Sequence, residues 1–294
     1  VTVVGSTFED NAATINGGGI IGNNLIVNNS KFINNKAPNG GAVYGWSYLN
    51  VNNSTFIGNT ATSGTGGGAI LWHNNAIITE SVFINNTAPN GGAIIGHNTA
   101  KGKVINSTFT GNIATSSGGA IYMLNQVNND LTVIGSNFTN NAAPTGGAIN
   151  GADGTIVGVS NSTFTGNTAT VGGAINSQNS LNINNSTFVD NINDINMKNG
   201  NVANSNFTST SQTVFNVGGS VSFNETKING DYPSRTYIIG SFTSDKYGWY
   251  VILNDLVATA GATLFLENKT YVLDRVVNIN KNIEIYGGYN ATDG

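Results

Sequence analysis

The sequence predicts an all-β protein, a right-handed parallel β-helix that winds as a solenoid with about 25 residues and three strands per coil. Two observations predict this fold: a Phe-x-x-Asn unit and a Gly-Gly-Ala-Ile unit alternate from Phe8 to Phe188. A third is compositional, because only 9% of the 294 residues are charged and Asn, Gly, Thr and Ser take the places that charges usually fill.

The Phe-x-x-Asn unit sets the period of the predicted coils. Its phenylalanines are Phe8, Phe32, Phe56, Phe83, Phe109, Phe138, Phe164 and Phe188. They recur at a spacing of about 25 residues, whereas a propeller blade needs about 40, and the leucine pattern of leucine-rich repeats is missing. We therefore expect one coil per repeat, with equivalent strands stacked about 4.8 Å apart.

The Gly-Gly unit falls between successive phenylalanines. It starts at Gly17, Gly40, Gly67, Gly91, Gly118, Gly146 and Gly172. In one period the three predicted strands are residues 25–27, 31–33 and 42–44. We expect stacked Phe and Ile columns inside, and a tight corner at each glycine pair through positive φ or close backbone approach. The Asn of Phe-x-x-Asn is expected at a left-handed bend, bonded along a ladder of identical amides.

The regular pattern weakens after Phe188, where Phe207 and Phe223 follow at shorter intervals. We interpret 192–230 as narrower final coils, which gives a β-helix over 1–230 and a linker over 231–247. Apolar residues at helical spacing predict a short amphipathic capping helix near 248–260. Residues 248–294 then open a further β-helix, or are completed by the next copy of the chain. A fragment, a covalent repeat period and a free filament subunit are all compatible with this order.

The two motifs resemble the repeats of chlamydial polymorphic outer-membrane proteins. The copies of sequence Asn-Ser-Thr-Phe-Thr-Gly-Asn at 106–112 and 161–167 are also similar to adhesin-like surface proteins of methanogenic archaea. The resemblance covers about residues 1–190 and implies a cell-surface, adhesin-type role. It implies no catalytic residue, because the shared motif is architectural.

Charge and residue types exclude several classes of function. The net charge is -4 and there is no Lys/Arg cluster, so nucleic acid is a poor partner. No apolar run approaches the roughly 20 residues of a membrane span, and there is no cysteine. We expect no cofactor, no metal site and no catalytic residue. Of the acidic residues, only Asp190 and Asp194 approach the paired carboxylates of a glycosidase. A polysaccharide-processing lyase or hydrolase is the alternative function.

The segment between each Gly pair and the next phenylalanine varies most in length, and binding residues of repeat proteins concentrate in such segments. It carries residues with flat rings and polar edges, which suit the faces of sugars. These candidate ligand-binding residues are Tyr44, Trp46, Tyr48, Trp72, His73, His97 and Tyr122. The alternative is that Tyr44 and Tyr122 extend an aromatic column.

Asn-x-Ser/Thr sequences are frequent, although Asn-Ser-Thr-Phe is also the repeat itself. The candidate glycosylation sites are Asn28, Asn53, Asn85, Asn106, Asn137, Asn161, Asn185, Asn206, Asn224, Asn268 and Asn290. Together these features predict a non-catalytic extracellular protein of the cell surface, either an adhesin or a filament subunit. Its expected partners are other copies of itself, stacked head to tail through β-helix ends, and surface glycans.

Overall fold

A computed structural model describes residues 1–124 and 128–208, and the shorter segments 215–218, 221–224, 226–228, 236–239, 262–267 and 283–289. In these ranges the regular elements are strands paired in parallel, stacked as a β-solenoid with about 26 residues per turn, and none is helical. The predicted fold class is confirmed. The predicted capping helix near 248–260 lies outside the described residues.

The largest sheet, here called the long-strand sheet, has 13 strands. Its members, in order of pairing, are Thr2–Val4, Ile20–Asn28, Val43–Asn52, Ile70–Thr79, Ile94–Ile105, Ile121–Met123 with Asn129–Ile134, Ile149–Gly151 with Thr155–Ser160, Ile175–Asn184, Ile195–Ala203, and Phe215–Val217 with Val221–Asn224. The long members of this sheet contain two of the short runs that the sequence predicts as separate strands. In each of them that follows a Gly pair, the run after the Gly pair and the run before the phenylalanine are the two halves of one continuous strand, with a bend between the halves.

The second sheet, the phenylalanine sheet, is made of ten short strands in sequential order. They are Thr7–Glu9, Lys31–Ile33, Thr55–Ile57, Val82–Ile84, Thr108–Thr110, Asn137–Thr139, Thr163–Thr165, Thr187–Val189, Asn206–Thr208 and Lys227–Ile228. Each phenylalanine of one coil is directly opposite that of the next, as in the pairing of Phe83 with Phe56 and Phe109.

The third face of the solenoid is a four-stranded sheet that the sequence analysis missed. It consists of Lys36–Asn39, Thr60–Gly66, Thr87–Asn90 and Ile113–Ser117. The pairing continues beyond it as isolated bridges, such as Ile113 with Ala142. Three further strands, Thr236–Ile239, Ala262–Glu267 and Ile283–Tyr289, pair in parallel with one another. The first of them falls within the predicted linker.

The phenylalanine rings form one interior column. Successive rings from Phe8 to Phe188 have centroids 4.7 to 4.9 Å apart and are nearly parallel. Phe207 extends the stack at 4.4 Å from Phe188. The rings from Phe32 onward are fully buried. In the backbone register, Phe223 pairs with Val202 in the long-strand sheet, and Ile228 pairs with Phe207 in the phenylalanine sheet.

Two buried polar ladders border the phenylalanine column, one of serine and one of asparagine. In the serine ladder each hydroxyl accepts from the main-chain N–H of the serine one coil earlier, as from Ser81 to Ser107 at 3.1 Å. It donates to a carbonyl two residues back in its own coil. In the asparagine ladder each interior amide makes four bonds to the coils on either side. Buried amides and hydroxyls need hydrogen-bond partners, and here the partners belong to neighbouring coils. Both ladders therefore fix the register of the stack.

The residues next to the ladder asparagines, and not the ladder asparagines themselves, adopt the left-handed conformation. The residue before each ladder Asn has positive φ, for example Asn34 at 52° and Gly58 at 62°. The prediction that the ladder asparagines themselves adopt left-handed geometry is therefore wrong. In the Gly pairs the first glycine has positive φ, as at Gly118 with 66°. A Cβ on the second, Gly119, would lie 2.0 Å from the carbonyl oxygen of Gly147. Both expectations for the Gly pairs are confirmed.

Candidate ligand-binding face

The segment of variable length is a bend halfway along the long strands. The register between neighbouring coils shifts there, as between His97 and Lys101. In three coils of the described part of the chain two separate strands replace the one long strand, and the first of the two ends at Met123, Gly151 or Val217. Insertions are absorbed at this point because both halves of the strand keep their ladder partners. The bend is therefore where one coil can differ from the next.

The bend cluster is the group of side chains Tyr44, Trp46, His73, His97 and Asn98. The Tyr44 hydroxyl is 2.8 Å from His73 Nε2, and Asn98 Nδ2 is 2.7 Å from His73 Nδ1. The Trp46 ring stacks on His73 with centroids 5.0 Å apart, and the His97 ring meets His73 edge-on at 4.8 Å. Four of the predicted ligand-binding residues are thus brought together, across three successive coils.

Both histidines of the bend cluster favour the neutral form. Burial lowers the pKa of His73 to about 4, and the charge of His97 acts in the same direction. Burial also lowers the pKa of His97, against a hydrogen bond to Asn98 that raises it. Both ring nitrogens of His73 are engaged in hydrogen bonds, which leaves neither free for a metal. Among the described residues no group of three His, Cys, Asp or Glu side chains could hold a metal ion.

The remaining aromatic candidates divide into packed and exposed residues. Tyr44 and Tyr122 lie on either side of Leu71 and Ile95 in one register column, pack with them, and so have a packing role. The column is not the aromatic column that the alternative proposed, because the members between the two tyrosines are aliphatic. Burial raises the pKa of both tyrosines. Trp46 and Tyr48, in contrast, are 44% and 36% exposed.

The prediction that Trp72 contacts a ligand is wrong. Its indole is fully buried in the core, where neighbouring coils supply glycine to make room. A Cβ on Gly96 would lie 2.8 Å from Trp72 Cζ2, and a Cβ on Gly102 would lie 2.9 Å from the same atom. The sequence carried a signal for this position, because Trp72 lies two residues after Ile70 and alternation places both side chains inside.

Beyond the bend, the outward face of the long-strand sheet holds a groove of about 440 Å³. The outer groove, as it is called below, crosses five coils. Its outward-facing lining consists of Tyr48, Asn75, Ile77, Lys101, Lys103, Asp130, Thr132, Ile156 and Gly158. Lys101 pairs with Asp130 at 3.3 Å, with both side chains largely in solvent. Of this lining only Tyr48 was predicted from sequence. The alternation of Lys101 and Lys103 around Gly102 was the available signal for two cations on one outward face.

The two carboxylates that most nearly formed a pair in sequence occupy different environments. Asp190 is exposed at a left-handed turn with φ of 49°. Asp194 is buried at a place that alanine fills in other coils, and its carbonyl accepts from Ala174 and Ile175. This arrangement does not present two carboxylates to one substrate.

The candidate glycosylation sites are mostly exposed where the structure describes their side chains. Exposed members are Asn53, Asn85, Asn106, Asn137, Asn161, Asn185 and Asn206. Asn28 is half-buried. The side chains of Asn224, Asn268 and Asn290 lie outside the described part of the chain. Several sites occupy left-handed turns that project from the solenoid, such as Asn106 with φ of 48°.

Comparison with known protein families identifies a shared repeat. The Chlamydia polymorphic membrane protein repeat matches residues 106–123 and 161–178. Each match runs from the start of an Asn-Ser-Thr-Phe turn, through a ladder asparagine, to the strand that follows a Gly pair. Searches of curated proteins and of solved structures found no match. In the ranges that the structure describes, no helix has the length and apolar character needed to cross a membrane. Residues 106–123 and 161–178 are thus similar to the repeat of the chlamydial polymorphic membrane proteins.

Proposed function

We propose that this chain is a non-catalytic adhesin or structural protein of the cell surface, in which a rigid β-solenoid presents the bend cluster and the outer groove. The observation that carries the proposal is that structural residues and surface residues occupy separate positions in each coil. The repeated Ser, Phe, Asn and Gly residues have structural roles, because they form the buried ladders, the ring column and the tight corners. The outward-facing residues of the bend cluster and the outer groove, in contrast, differ from coil to coil.

The repeat match supports a surface or outer-membrane location, since that family is named for membrane proteins. The finer resemblance to adhesin-like proteins of methanogenic archaea stays a prediction. So do head-to-tail association and glycan occupancy. Negative-stain electron microscopy of the native material would test association, and intact-mass analysis before and after deglycosylation would test occupancy at exposed sites such as Asn106.

Surface location and adhesion can be tested separately. Antibodies raised against the chain should label intact source cells without permeabilisation, and beads coated with the chain should attach to a surface that plain beads do not bind. Attachment should fall when Trp46 is replaced by Ala, because that ring is exposed. Asn182→Ala, on an outward position of the same sheet, is the matched control. Labelling that requires permeabilisation would contradict the surface location, and equal attachment of coated and plain beads would contradict the adhesive role.

A further inference from the structure

We infer that the outer groove binds an extended acidic polysaccharide, with Lys103 as the residue that holds its anionic group. This inference rests on the proposed surface role and names the ligand class of that role. It is carried by the shape of the groove, by its charge and by its apolar contacts.

The shape of the groove suits an extended chain. Its outward positions are successive rungs of the sheet, from Tyr48 through Asn75, Lys101 and Asp130 to Ile156. Four rung steps of about 4.8 Å give a length of roughly 19 Å along the solenoid axis. That length accommodates several sugar residues in a row, whereas a compact small molecule would leave most of the rungs uncovered.

The charge of the groove selects an anion. The chain has net charge -4, yet two of the five lysines whose side chains the structure describes, Lys101 and Lys103, project from one rung of the groove. Lys101 is already paired with Asp130. Lys103 is exposed, its register neighbours are Ile77 and Thr132, and no carboxylate of the described residues lies within ion-pair distance. Its ammonium group is therefore available to a carboxylate or sulfate of the ligand.

The apolar surface suits the faces of sugar rings. Tyr48 at one end is 36% exposed and Ile156 at the other is 47% exposed. On the same strand as Ile156, Gly158 presents no side chain, and a Cβ built there would have its nearest neighbour 4.0 Å away. The groove is thus open at this end and flanked by an aromatic ring at the other, an arrangement that accepts sugar rings stacked on their faces.

Isothermal titration of the full chain with an oligogalacturonate, a heparin oligosaccharide and a neutral cello-oligosaccharide tests the inference. We expect the oligogalacturonate, the heparin oligosaccharide or both to bind and the neutral one to bind weakly. The first two ligands distinguish carboxylate from sulfate recognition. Replacing Lys103 by Gln should weaken binding about tenfold or more, since a hydrogen bond to a charged group is worth about 1.5–3 kcal/mol. Gly158→Leu should also weaken binding, because the added side chain fills the Ile156 end of the groove. Lys31→Gln, at an exposed position of the phenylalanine sheet, should leave binding unchanged.

Unchanged melting temperatures would show that these variants remain folded. Equal losses in the Lys103 and Lys31 variants would reduce the effect to general attraction and overturn the inference. Undiminished binding by Gly158→Leu, equal binding of single-stranded DNA, or no binding of either acidic glycan would also overturn it. Cell labelling with no glycan binding would leave the proposed surface role intact, whereas binding without surface labelling would reject that role and leave the groove assignment standing.

Discussion

Asn112, in the middle of the asparagine ladder, provides the sharpest test of what holds the coils in register. Its Oδ1 accepts from the main-chain N–H and from Nδ2 of Asn86, at 3.0 and 2.9 Å. Its Nδ2 donates to the Phe83 carbonyl and to Asn141 Oδ1, at 3.0 and 2.9 Å. In Asn112→Ala all four bonds are lost. Two donors on the fully buried Asn86 then lose these acceptors.

The expected cost follows from those two donors. A buried polar group left without a partner costs about 1–3 kcal/mol, so the substitution should lower the free energy of unfolding by about 2–6 kcal/mol. Asn182→Ala is the matched control, because Asn182 is exposed and loses a single amide bond, from Asn201. Its effect should stay within about 0.5 kcal/mol.

Urea unfolding followed by circular dichroism would measure both variants. The first transition is the relevant one, since stacked repeats unfold in groups of interacting neighbours. Amide hydrogen exchange should additionally show faster exchange at Asn86 and at neighbouring positions of the adjoining coils. If Asn112→Ala and Asn182→Ala had equal midpoints, the buried amide ladder would not be a source of stability, and the register would have to depend on the phenylalanine column and the serine ladder.

The core and the bend cluster give three further predictions. Phe109→Ala should cost about 3–5 kcal/mol, the usual loss for a buried phenylalanine, measured as a drop in the urea midpoint. Gly102→Ala should lower the melting temperature by overpacking against Trp72, at a cost of about 1–3 kcal/mol, while Gly158→Ala should not. His73 binds protons less readily when folded, so stability should be full above pH 6.5 and decline toward pH 4. His73→Gln should flatten the pH dependence of the urea midpoint over that range, and an unchanged slope would contradict the assignment.

The fold could be predicted because each coil repeats a few positions that have little freedom. One phenylalanine and one glycine pair in each coil up to Phe188 define the period, whatever residues lie between them. The strand boundaries were harder, because the bend in the long strands hides their continuity. The short strand Lys36–Asn39 carries a proline and no apolar alternation, so no local pattern marks it. This segment forms a strand because it pairs with Thr60–Gly66 of the next coil.

The candidate site could be predicted only in part. The aromatic residues of the bend were found because rings are conspicuous in a chain of small polar residues. Whether a given ring faces in or out depends on where the bend falls. Trp72 was misplaced because it was assigned to the bend, although it lies on the regular strand before it, where alternation from Ile70 places it inside. The outer groove could not be predicted, because Tyr48, Lys103 and Gly158 come from different coils separated by a register shift at His97.

The requirement for identical residues in the ladders determines which positions of a coil can contribute to ligand recognition. A ladder works only if the residue above and the residue below are the same, so the serine position is serine in every coil from Ser6 to Ser205. Specificity for a ligand needs the opposite, a position whose neighbours differ. The outward column through Lys103 meets this condition, since the register places Ile77, Thr132 and Gly158 beside it in successive coils. A recognition surface on this solenoid therefore has to be built from residues outside the repeat motif.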